Sequence, residues 1–152
     1  MKLAEALILR ASHQRRMDEL ESRLLRSAKV QEGDQPAENP KALLAELEQV
    51  STELEHLIQS INRTNSASEL GAGVTLTDAL ATRDLLRAKQ EIYRDLASAA
   101  TVTQGRFTRS EIKFRSTLDV AEIHQRADEL AAAHRDLDTR IQEANWRLEL
   151  ME

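Results

Sequence analysis

Apolar residues along this chain recur in steps of three and four, the period of a helix that buries one face. Leu3, Leu7, Met17, Leu20, Leu24 and Ala28 predict a first helix over residues 2 to about 30. The middle of that stripe carries Arg10, His13 and Gln14, so it is polar where it should be most apolar. Gln31 to Glu38, with Gly33 and Pro36, reads as a loop. Asn39-Pro40 then predicts a helix start: Asn39 caps free N–H groups and Pro40 fits the first helical position. Leu43, Leu47, Val50, Leu54, Leu57 and Ile61 form a near-heptad seam. Ser66 to Val74, with Gly71 and Gly73, reads as a second loop.

A third helix is expected from a cap at Thr75 or Thr77 to about Ala100, with Leu80, Leu85, Leu86, Ile92, Tyr93 and Leu96 inside. Residues 101–118 break the pattern. Thr101 to Thr108 is rich in β-branched residues and then turns aromatic at Phe107, and Glu111 to Arg115 alternate polar and apolar, which is strand period. Asp119-Val120-Ala121-Glu122 resembles a capping box. It opens a fourth helix through Ile123, Ala127, Leu130, Leu137, Ile141, Ala144 and Leu148. The fold class expected is all-α. Four long antiparallel helices, bundle- or coiled-coil-like, make one domain over 1–152, with a short β-ribbon or extended arm at about 101–118 between helices 3 and 4. At 1.5 Å per residue each helix is roughly 35–45 Å long.

Composition changes the picture in one respect. The only aromatic side chains are Tyr93, Phe107, Phe114 and Trp146. Small side chains bring helices close but bury little area each, so burial between copies is expected. The arm supplies the bulk for it in Phe107, Ile112, Phe114 and Leu118. A lone ribbon is marginal in water and its edge offers unpaired backbone groups. The partner expected is therefore a second copy, in a homo-oligomer of two chains or more.

Charge and candidate chemistry mostly exclude. The net charge is −5, against the basic face that nucleic acid requires, and there is no cysteine. The first ten residues read as a helix start rather than an export signal, and no apolar run reaches the ~20 residues of a membrane span. A cytoplasmic protein with neither membrane nor nucleic acid as partner is expected.

Arg10, Gln14, Asn62, Asn65, Asp138, Gln142 and Asn145 form a candidate polar cluster. Its reading is a buried register-fixing network or, as the alternative, a pocket between helices 1, 2 and 4 for a small ligand or anion. Arg106, Arg109 and Lys113 are a candidate anion site whose plainer role is to pair with acidic helices. The four histidines are scattered, and Glu53 with His56 is the single acid–His pair at i, i+3, so no metal, cofactor or catalytic residue is expected.

Several stretches together resemble a family of uncharacterised bacterial proteins, some of whose members carry the label septicolysin. They are Glu5 to Ala11, Ala28 to Gly33, Ile61 to Asn65, Arg109 to Lys113 and Ile141 to Trp146. The resemblance spans nearly the whole chain. It implies a helical fold assembled into a multimer as large as a hexamer, and no established activity. The septicolysin label would suggest a lytic toxin. The short arm, charged at alternate positions, argues against a barrel-forming hairpin.

Overall fold

The computed structural model describes residues 1–103 and 112–152. Four helices carry the fold: α1 (Leu3–Ser27), α2 (Pro40–Ala67), α3 (Leu76–Ala100) and α4 (Val120–Arg147). Their starts are where the sequence puts them, for local reasons. Asn39 accepts a hydrogen bond from the Lys41 N–H at 3.0 Å, with Pro40 at the first helical position. Thr75 accepts from the Asp78 N–H at 3.1 Å and donates back to its carboxylate at 2.8 Å. Asp119 accepts from the N–H groups of Ala121 and Glu122. Each side chain satisfies donors that the first helical turn leaves without partners.

The chain divides into two compact units, residues 1–69 with 143–152, and residues 70–142. In the first unit α1 and α2 form a hairpin. Leu20, Leu43 and Val50 are buried together, with Met17, Leu24 and Leu47 packed against them. Ion pairs flank this seam and fix its direction. Arg23 donates to Glu38, Arg16 to Glu46, and His13 lies 3.9 Å from Glu53. Partner numbers rise on α2 as they fall on α1, so the helices are antiparallel.

At the other end of the same unit the first and last residues are stitched together. The Leu3 N–H donates to the Leu148 carbonyl at 2.9 Å and the Leu150 N–H to the Met1 carbonyl at 2.8 Å. Lys2 and the Met1 amine both pair with Glu149. The fully buried Thr64 hydroxyl donates to the Ser60 carbonyl at 2.8 Å and accepts from the Met151 N–H at 2.9 Å.

The second unit opens with a two-stranded ribbon, β1 (Glu69–Gly71) and β2 (Val74–Thr75). The sequence reading has a loop here and places a short β-ribbon or extended arm after α3. The turn explains the difference. Ala72 and Gly73 have φ of 51° and 76°, both left-handed, which gives the twist that joins two short antiparallel strands. Between α3 and α4 the described residues, 101–103 and 112–119, carry no strand; 104–111 lie outside the described residues. Strand period in Ile112 to Arg115 is therefore not matched by a ladder among the described residues. A strand needs a neighbour to take its backbone hydrogen bonds.

Arg83 on α3 donates to Asp138 on α4 at 3.3 Å. Among the described residues no helix is long and apolar enough to cross a membrane.

Candidate functional site

Helix α3 carries two apolar stripes, and the structure buries the less bulky one. Leu76, Ala79 and Ala97 are buried, and Arg83, Leu86, Gln90 and Tyr93 between them are half-buried. Leu85, Ile92 and Leu96, expected inside, are instead exposed, Leu85 by 65% and Ile92 by 64%. Seven residues are two turns, so Leu85 and Ile92 share a face, and Leu96 adds a third turn to it. On the inward stripe Arg83 is half-buried and donates to Asp138 at 3.3 Å.

An acidic residue precedes each member of the outward stripe: Asp84, Glu91 and Asp95. All three are exposed. Asp84 is held by its neighbour Arg83 at 2.9 Å and Glu91 by Arg87 at 3.4 Å.

At the C-terminal end of α3 the stripe runs into a groove of about 510 Å³ shared with the segment that leads to α4. Leu96, Ala99 and Val102 form one wall, and Phe114 and Leu118 the other. Phe114 is nevertheless 89% exposed and Ile112 97% exposed. Lys113 and Arg115 alternate with them. Of the expected arm residues, Ile112, Phe114 and Leu118 thus reach solvent; Phe107 lies outside the described residues, as do Arg106 and Arg109 of the candidate anion site.

The candidate polar residues divide between the units. Within the first, Asn145 is buried, Arg10 and Asn65 are half-buried, and Gln14 and Asn62 are exposed. The Arg10 Nε is buried with no hydrogen-bond partner among the described residues. Within the second, Gln142 is exposed and Asp138 is taken up by Arg83. Sequence reasoning passed over Arg83, although its place between Ala79 and Leu86 on the inward stripe was a usable signal. It also passed over Thr64, which looked like part of a helix end.

A family model of unknown function, DUF6847, matches residues 10–150. The chain belongs to this family. The crystal structure of a functionally unknown conserved protein from Corynebacterium diphtheriae resembles it with a TM-score of 0.93, at 52% identity over 99% of both chains. No curated protein matches it.

One further groove in this DUF6847 chain, about 400 Å³, lies on the α1–α2 hairpin and is lined by Leu9, His13, Glu53, His56, Leu57 and Ser60. Among the described residues no three His, Asp or Glu side chains are arranged to hold a metal ion. Resolved shifts of ionisation belong to ion pairs. Glu38 is lowered by the hydrogen bond from Arg23, Glu19 by that from Arg16, and Glu149 by Lys2 and the terminal amine. Glu38 is half-buried and ties the loop before α2 to α1, Glu19 pairs within α1, and Glu149 ties the two chain ends. In the second unit of this DUF6847 chain, Leu85, Ile92 and Leu96 leave exposed apolar surface on α3 beside Asp84, Glu91 and Asp95.

Proposed function

We propose that this chain is a self-assembling helical protein of the cytoplasm, a structural or interaction protein rather than an enzyme. The segment between α3 and α4 crosses to a second copy. One observation carries the reading: Ile112 and Phe114 stand almost fully in water beside an uncovered leucine–isoleucine stripe. Bulky apolar side chains left in water favour association, because burial removes them from water at about 25 cal/mol per Å².

Light scattering on the full chain tests this. A mass of two chains or more is expected, falling towards one chain when residues 103–116 are deleted or when Ile112 and Phe114 are both changed to Ser, with helical circular dichroism retained. A monomeric full chain, or an unchanged mass in both variants, overturns it.

A second reading, a module for a small ligand or anion, is favoured by the unpartnered Arg10 Nε. A thermal-shift screen with metabolites and anions tests it, since a bound ligand raises stability by mass action. A response lost in Arg10→Leu supports it, and a flat screen counts against it.

A further inference from the structure

We infer that the outward stripe of α3 is the dock for residues 112–115 of a second copy. This rests on the self-assembly reading and names the surface it uses. Two complementarities carry it. The first is apolar: Leu85, Ile92 and Leu96 form a stripe of about three turns, and Ile112 and Phe114 are bulky side chains with almost nothing against them. In an extended segment residues two apart stand about 7 Å apart on one side. The rise from Ile92 to Leu96 is about 6 Å. The two side chains therefore match the Ile92–Leu96 step of the stripe.

The second complementarity is charge. The stripe has an acidic edge of Asp84, Glu91 and Asp95, and the segment carries Lys113 and Arg115. Their long stems reach past the apolar contact to carboxylates at its margin. Existing pairs do not block this. Arg83–Asp84 and Arg87–Glu91 join exposed groups, and such pairs are weak and exchangeable.

A second copy, rather than the same one, is the occupant. The Ser116–Leu118 turn and the Asp119 cap lead the segment into α4, and the groove it shares with Leu96 and Ala99 places it at the C-terminal end of α3. From there Ile112 is 97% exposed while Leu85 and Ile92 are bare. Within one chain Phe114 meets only the Leu96 end of the stripe, across a groove, and Leu85, Ile92 and Ile112 stay open.

Charge reversal tests the pairing. Lys113→Glu with Arg115→Glu is expected to weaken self-association at least ten-fold, as is Asp84→Lys with Glu91→Lys and Asp95→Lys. All five changes in one chain should restore it, which a merely structural role for these charges would not do. The absence of cysteine gives a clean background for a second measurement. Ile92→Cys on one copy and Phe114→Cys on a copy of different tag length should form a disulfide between them under mild oxidation.

If neither reversal set lowers a mass that deletion of 103–116 does lower, the dock is wrong and the assembly reading stands. A cross-link confined within single copies of the double-cysteine chain also overturns it. A monomeric wild-type chain ends both.

Discussion

Ala72 is the clearest case of a residue that works against its own conformation. Its φ of 51° is left-handed, a region that costs an ordinary L-residue about 1 kcal/mol or more. Gly73 beside it takes the same hand without that cost. Ala72→Asn keeps the turn and suits it better, so a gain of about 0.5–1 kcal/mol is expected in urea unfolding. Thr64 is the opposite case, a polar residue whose both hydrogen-bonding capacities are used while fully buried. Thr64→Val leaves the Met151 N–H without its acceptor and should cost about 1–3 kcal/mol, whereas Thr64→Ser should cost less. Neither residue was legible beforehand. Ala has no marked turn preference, and Thr at a helix end looks the same whether it caps or reaches across to a distant chain segment.

Elements were far more legible, because caps and periodicity are local. Asn39-Pro40, Thr75 and Asp119 each name a helix start in the sequence, and each makes the expected bonds. The α2 seam is buried at Leu43, Val50, Leu54, Leu57 and Ile61, as its spacing requires. What periodicity cannot decide is which of two apolar stripes turns inward. On α3 the inward stripe includes Arg83, whose partner Asp138 lies 55 residues away in sequence.

Predictions at this scale concern the α1–α2 joint. Leu20 is fully buried among Leu43, Val50 and their neighbours, so Leu20→Ala should cost about 2–5 kcal/mol, measured by thermal or urea unfolding. The flanking pairs add a dependence on pH. Glu38 and Glu19 are held below the ordinary glutamate value by Arg23 and Arg16. Their contribution is therefore complete above that value, about 4.3, and is lost as pH falls through their lower folded values. Melting temperature should decline over this acid range, and Glu38→Gln should flatten part of the decline. An unchanged slope would show that the Arg23–Glu38 pair does not hold the joint.

For the whole molecule the governing fact is how much bulk is left outside. Every large apolar side chain of the α3 stripe and of residues 112–118 is partly or wholly in water. Composition foreshadowed this, since a chain with four aromatic residues has little with which to cover itself. Family membership extends the fold, not the role, to relatives of unknown function.

The stitching of Met1–Leu3 to Leu148–Met151 bears on motion rather than on assembly. Chain ends usually fray, and their amide protons exchange with solvent within the dead time of an experiment. Here the Leu3 and Leu150 amides are spent on each other's strand, and the Met151 amide on Thr64. Deuterium uptake at these three positions should be slow and should quicken together in Glu149→Gln, so that the two ends behave as one dynamic unit.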